Sequence, residues 1–194
     1  DLLFSVFAGY SLSRFQYPGR KAIMTVILSA QVFPTVVILI SLYEFFSKFK
    51  LMNSYLGLSL ADVAMSLPLS VWMLKSFCDG IPRSLDEAAC VDGCGRFRTL
   101  MEIVVPLLSP GMLAVGIYAF LMSWDDYMLG LVIMTKTPMK TLPVGISESF
   151  LGEFGFDYAG MMTISVVASL PVLLLFLIFQ RYMVAGLTGG AVKE

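Results

Sequence analysis

The strongest constraint on this chain is the placement of its charges. Lys21 and Glu44 bracket a run from Ala22 to Tyr43 that carries none, and Ile103 to Trp124 and Tyr158 to Gln180 are two more runs of the same kind. A helix needs about 20 apolar residues to cross roughly 30 Å of hydrocarbon, so each run has the length of a membrane span. A fourth run, from about Leu56 to Cys78, is interrupted by Asp62 and Lys75 but is kept apolar by Leu58, Leu60, Val63, Leu67, Leu69, Val71 and Trp72. The opening run, Leu2 to Ser13, is shorter. At ~1.5 Å per residue, about 12 residues reach only some 18 Å. With no starting Met and no basic region ahead of it, this run reads as the later part of a helix, not as a signal peptide. At least one more helix is expected upstream. With 58% hydrophobic and 14% charged residues, the expected fold class is all-α, a polytopic transmembrane helical bundle.

The same composition removes several function classes. A net charge of −1 leaves no polycationic surface for a nucleic acid. There is no histidine, and the three cysteines are Cys78, Cys90 and Cys94. A zinc site, a Ser-His-Asp triad and a disulfide scaffold therefore lack their parts. No phosphate-binding G-x-x-x-x-G-K-[ST] loop occurs in the chain, so it cannot hydrolyse ATP by itself.

Orientation follows from lysine and arginine, which cytoplasmic loops retain. Placing Arg14 to Lys21 inside puts Asp79 to Glu102 and the tail from Arg181 inside, with Phe46 to Tyr55 and Thr135 to Asp157 outside. Arg14, Arg20, Lys21, Lys75, Arg83, Arg96, Arg98, Arg181 and Lys193 then lie inside, against Lys48, Lys50, Lys136 and Lys140 outside. The carboxyl terminus is expected in the cytoplasm.

The least lipid-like segment is the loop from Asp79 to Pro106. Ser84-Leu85-Asp86-Glu87 reads as a capping box, with the Ser84 hydroxyl accepting from the Glu87 N–H and a short helix starting at Leu85. Ala88 and Ala89 are small enough for another surface to approach. Gly93 and Gly95 supply a turn, and Arg96 to Val105 resume the helix. Charges of both signs on this elbow suit a protein partner better than anionic lipid.

Glu87-Ala88-Ala89, three residues, Gly93, nine residues, then Ile103-Val104-Val105-Pro106 resembles the EAA loop of ABC importer permeases, with Val105 where leucine is usual. Four further segments resemble the carbohydrate branch, the maltose and multiple-sugar type. They are Arg14-Phe15-Gln16-Tyr17-Pro18-Gly19-Arg20, Ser123-Trp124-Asp125-Asp126-Tyr127, Thr141-Leu142-Pro143-Val144-Gly145 and the tail from Arg181 to Lys193. Asp125 stands where the branch usually has asparagine. The resemblance implies the ABC importer permease fold and a subunit of the prokaryotic plasma (inner) membrane. It also implies a second, related permease, usually as a heterodimer, two ATP-binding subunits that hold the ATP and Mg, and an extracytoplasmic solute-binding protein delivering a sugar. This chain would then need no cofactor of its own. Glu87, Ala88, Ala89, Asp92, Gly93 and Arg96 become the expected docking residues for the ATPase subunit.

Trp124, Asp125, Asp126 and Tyr127 are candidates for a translocation pathway, since aromatic faces stack on sugar rings and carboxylates accept from hydroxyls. A wet aromatic belt at the membrane surface competes with that reading. Asp62 is a further candidate, or a carboxylate at the wet end of its span. An ion-gradient-driven secondary transporter using Asp62, Asp125 or Asp126 is the rival function. Pro34, Pro68 and Pro171 fall inside apolar runs, where each can bend a helix. The outer loop, Thr135 to Asp157, with Lys136, Lys140, Glu148 and Glu153 among Phe150, Phe154 and Phe156, is either a platform for the binding protein or a plain connector.

Overall fold

The computed structural model describes the backbone of residues 1–152 and 155–191, and the side chains of residues 1–151 and 156–180. Glu153 and Phe154 of the outer loop and Val192 and Lys193 of the tail lie outside the described residues. The chain is helical almost throughout. In order come α1 (Leu2–Arg14), α2 (Arg20–Ser29) with a 3-10 turn at Ala30–Val32, α3 (Thr35–Lys48), α4 (Tyr55–Gly80) and α5 (Ser84–Val91). Next are α6 (Arg96–Thr99), a π-helical turn at Leu100–Val104, α7 (Val105–Leu107), α8 (Ser109–Trp124) and α9 (Met128–Ile133). A 3-10 turn at Thr137–Met139, α10 (Leu142–Phe150), a two-residue hairpin pairing Leu151 with Phe156, and α11 (Tyr158–Ala191) complete it.

The polytopic helical architecture agrees with the expectation, but two of the expected spans are not continuous helices. Among the described residues, two helices are long and apolar enough to cross a membrane, within α4 and over Tyr158–Gln180 of α11, or up to four if each of two broken pairs forms one span. The run from Ala22 to Tyr43 breaks at Phe33–Pro34, where Pro34 takes an extended backbone and starts α3, as a residue without an N–H does at a helix start. The run from Ile103 to Trp124 breaks at Leu108, with a bend of 77° between Arg96–Leu107 and Ser109–Trp124. Here Pro106 cannot donate, and its ring crowds the carbonyl four residues back. The chain accommodates it by widening to the π turn, whose last N–H, on Val105, donates to the Leu100 carbonyl. Ser109-Pro110 then opens a new helix in the first-turn position that proline tolerates. Pro68 and Pro171, by contrast, lie inside unbroken helices.

The chain divides into two compact units, one formed by Asp1–Val32, Ser66–Ala119 and Phe179–Glu194, the other by Phe33–Met65 and Phe120–Ile178. In the first, Val6 and Tyr10 of α1 pack with Leu74 and Cys78 of α4, Leu100 and Val104 of the π turn, Leu108, and Val115 of α8. Gly9 makes this possible: a Cβ there would stand 2.9 Å from the Lys75 backbone nitrogen, so α1 approaches α4 as only a residue without a side chain allows. In the second unit, Phe46, Ala61, Leu129 and Ile133 form the core. Asn53, at φ 52°, ties the loop after α3 to the segment after α9. Its amide nitrogen donates to Thr135 Oγ1 at 2.8 Å, and its Oδ1 accepts from the Lys136 N–H at 2.8 Å. The most apolar stretch of α11 is not buried within the chain at all. Val166, Val167, Leu170, Leu173, Leu174 and Phe176 are exposed, as a helix facing lipid or a neighbouring subunit requires.

Candidate functional site

Helix α5 forms where the sequence places it, but its start is built differently from the expected capping box. The helix begins at Ser84 with Arg83 already helical and no side-chain cap. The Leu85 N–H donates to the Pro82 carbonyl at 3.3 Å and the Glu87 N–H to the Arg83 carbonyl at 3.1 Å. Because the turn from Pro82 continues directly into the helix, the N–H that the Ser84 hydroxyl would have capped is already used. The far end is a Schellman closure: the Gly93 N–H donates to the Cys90 carbonyl at 3.1 Å and the Cys94 N–H to the Ala89 carbonyl at 2.8 Å. Gly93 sits at φ +80°, the left-handed position that glycine fills without a Cβ penalty.

The expected docking residues separate into two groups. Glu87, Ala88, Asp92, Gly93 and Arg96 are exposed, while Ala89 is 2% exposed and packs inward. Leu85, Val91 and Phe97 extend the outward face with uncovered apolar surface, Val91 at 88% exposure. Of the two alanines, Ala88 leaves room for something outside the chain and Ala89 for the chain itself. Arg96 also lies over the Phe15 ring, 5.7 Å from its centroid, a cation–π contact to its own unit.

The inward side of α5 holds residues that the sequence reading did not single out. The Asp86 carboxylate accepts from Tyr10 Oη at 3.1 Å through one oxygen, and its other oxygen lies 3.0 Å from Arg14 Nε. The Arg14 and Asp86 side chains are 5% and 8% exposed, so this is a nearly dry ion pair. Nε and Oδ2 are close but not aligned for a hydrogen bond, and the attraction between them is that of the charges. Around it, Arg14 Nη2 donates to the Ile81 carbonyl at 2.9 Å and Arg83 Nη2 to the Ser13 carbonyl at 3.0 Å. Ser13 Oγ donates to Asp79 Oδ1 at 2.6 Å, and Asp79 also meets Lys75 at 2.5 Å. The available signal was Arg14, a charge at the end of an apolar helix that needs a partner.

The second group of candidates, at the end of α8, is drawn partly into local structure. The Trp124 indole donates to the Ala168 carbonyl at 3.2 Å and its ring stacks with Phe120 at 5.4 Å. The acceptor lies on α11 in the turn before Pro171. Asp126 accepts from the Leu129 N–H at 3.1 Å and the Gly130 N–H at 2.7 Å, capping α9. Asp125 and Tyr127 are exposed, Tyr127 with its hydroxyl 3.5 Å from Ser147 Oγ. Asp62 is half-buried and accepts from Ser123 Oγ at 2.6 Å. In the outer loop Lys140 pairs with Glu148.

Comparison with known proteins places this geometry. The sulfoquinovosyl glycerol transport system permease protein SmoH of Agrobacterium fabrum is 40% identical over 99% of this chain and 67% of its own length. The trehalose/maltose transport system permease protein MalG of Thermococcus litoralis is 36% identical over 97% of this chain and 68% of its own. The arabinooligosaccharides transport system permease protein AraQ of Halalkalibacterium halodurans is 33% identical over 100% and 68%. In fold, the chain superimposes on the crystal structure of a bacterial ABC transporter involved in the import of the acidic polysaccharide alginate. The TM-score is 0.74 at 18% identity, covering 93% of this chain and 68% of that one. Residues 2–189 match the family of binding-protein-dependent transport system inner membrane components, and the chain belongs to that family as a membrane-embedded permease of the ABC importer type.

Proposed function

We propose that the chain is a permease subunit that translocates a sugar or related polyol into the cytoplasm by alternating access, driven through α5 by separate ATPase subunits. The observation that carries this reading is the two-sided character of α5. A short helix, closed at its end by the Gly93 turn, leaves Leu85, Glu87, Ala88 and Val91 uncovered while Asp86 and Ala89 anchor it. Such a helix can take up a rigid-body displacement when a partner closes around ATP. The sugar class is supported by the relatives, whose names carry glycosyl glycerol, disaccharide and oligosaccharide substrates. A second permease, two ATP-binding subunits holding ATP and Mg, and an extracytoplasmic binding protein complete the assembly. The test is uptake of labelled sugar into vesicles containing the purified complex. Uptake is expected to require ATP inside and to stop when the ATPase subunits are omitted; uptake sustained by an ion gradient alone would reject the proposal. The rival secondary transporter is disfavoured by the engagement of two of its three carboxylates, Asp62 with Ser123 and Asp126 with the start of α9.

Within this reading Asp125 and Tyr127 are the pathway residues left open for a solute, and Trp124 and Asp126 shape the wall behind them. The cytoplasmic placement of α5 and of the carboxyl terminus belongs to the same proposal. Impermeant thiol reagents check both points in variants bearing one cysteine. A cysteine replacing Ser147 is expected to label from outside, and Cys90 only after permeabilisation. A cysteine replacing Asp125 is expected to be protected several-fold by the transported sugar. The reverse sidedness, or labelling at position 125 indifferent to sugar, would remove the corresponding assignment.

A further inference from the structure

We propose that Tyr10, Arg14 and Asp86 form the joint through which displacement of α5 is passed to α1. This rests on the reading of α5 as the ATPase-docking helix and adds a second output for its motion. The chain connects α5 covalently to α4 through Ile81-Pro82-Arg83 and to α6 through Asp92-Gly93-Cys94-Gly95. The second connector carries two glycines, and glycine-containing turns yield easily. α5 and α1 are not neighbours along the chain, and Asp86 joins them directly through Tyr10 and Arg14.

Those side chains are arranged as a lock. The buried residues of α5 are Asp86 and Ala89. Ala89 offers one methyl group, so Asp86 is the one that grips. Its two oxygens are divided between Tyr10 and Arg14, one turn apart on the closing turns of α1. Two arginine-to-carbonyl bonds cross the same seam in opposite directions, Arg14 to Ile81 and Arg83 to Ser13. Apolar contact would hold the elements together as well, without placing two charges out of water. It would also let them slide, because dispersion has little direction, whereas a carboxylate that accepts from the Tyr10 hydroxyl and faces a guanidinium itself held by the Ile81 carbonyl has one low-energy placement. A seam that must carry motion without slipping benefits from the second kind of contact. Through Ser13 and Asp79 the same turn of α1 is also fastened to the end of α4, so α1, α4 and α5 move as one body at this end of the unit.

The test uses the full-length permease in its assembled complex, with Tyr10→Phe, Arg14→Met and Asp86→Leu combined so that no buried charge is left without its counter-charge. Three quantities are read: copurification of the ATPase subunits, ATP hydrolysis, and sugar imported per ATP hydrolysed. Copurification and hydrolysis are expected to stay within about twofold of the parent, while sugar per ATP falls about tenfold or more, the range of a lost coupling between sites. Unchanged sugar per ATP would overturn the proposal. So would loss of copurification, which would make the cluster a support for the docking surface instead. If the triple variant fails to insert, Arg14→Lys decides: it keeps the charge but not the fork, and parent-like coupling there would refute the joint. A parent complex that imports without ATP would defeat the docking reading itself, a result separable from either outcome in the variants.

Discussion

Replacing Ala88 with tryptophan is expected to reduce ATP-driven uptake by about 100-fold while the permease still inserts in the membrane. Ala88 is exposed on the outward face of α5, between Leu85 and Val91, which are uncovered as well. A partner that seats this helix must pass close to its Cβ, and a tryptophan there holds the two surfaces apart. Losing the centre of a small interface costs about 2–4 kcal/mol, and every 1.4 kcal/mol is tenfold. The companion substitution Ala89→Trp is expected to fail earlier. Ala89 is 2% exposed and packed inward, so the bulk would break the fold of the loop and lower the recovery of the permease itself. Uptake by Ala88→Trp at the parent rate, or equal recovery of the two variants, would contradict the assignment of outer and inner faces.

Asp86→Ala is expected to be the most destabilising change at a charged position in the first unit, by about 3–5 kcal/mol, because it strands the buried Arg14 guanidinium without its counter-charge. The contrast is the neighbouring pair Arg98–Glu102, close at 2.9 Å but 66% and 57% exposed. Glu102→Ala should leave the thermal midpoint of the solubilised permease unchanged, since exposed pairs contribute little. Adding Arg14→Met to Asp86→Ala should recover most of the loss. The measurement is the midpoint of the helical signal on heating. An Asp86→Ala protein that melts with its parent would mean that Arg14 has found water and that the pair is not dry in solution.

Much of this was legible in the sequence because two of its signals are local. Charge-free runs mark helices by length and solvent, and the Glu87 to Pro106 pattern marked the loop by its order of residue types. What failed to show depended on contacts distant along the chain. Pro34, Pro68 and Pro171 look alike in an apolar run, yet Pro34 stands at a helix start and the other two sit inside one; packing of each segment decides, and periodicity does not contain it. Asp86 read as one charge among several on a solvated elbow because its partner Tyr10 lies 76 residues earlier. Asp126 reads as a pathway or belt carboxylate, and its second task, accepting backbone N–H groups three and four residues ahead, is hidden for a different reason: the capping pattern is local but lies in an apolar setting. The expected capping box at Ser84 failed for the opposite reason: the motif was present, and the turn beginning at Pro82 had already supplied what it offers.

The widened turn at Leu100–Val104 has a consequence for how sequences of this kind can vary. One surplus residue in a helical circuit offsets everything before it by about 100° around the axis relative to everything after it. The azimuth at which α5 and α6 stand relative to α7 is therefore encoded by a residue count together with Pro106, which the wider turn accommodates. Substitutions within the stretch are tolerable so long as they remain apolar where they face inward. Deletion of a single residue is expected to turn the outward face of α5 by about 100° while leaving each of its residues intact.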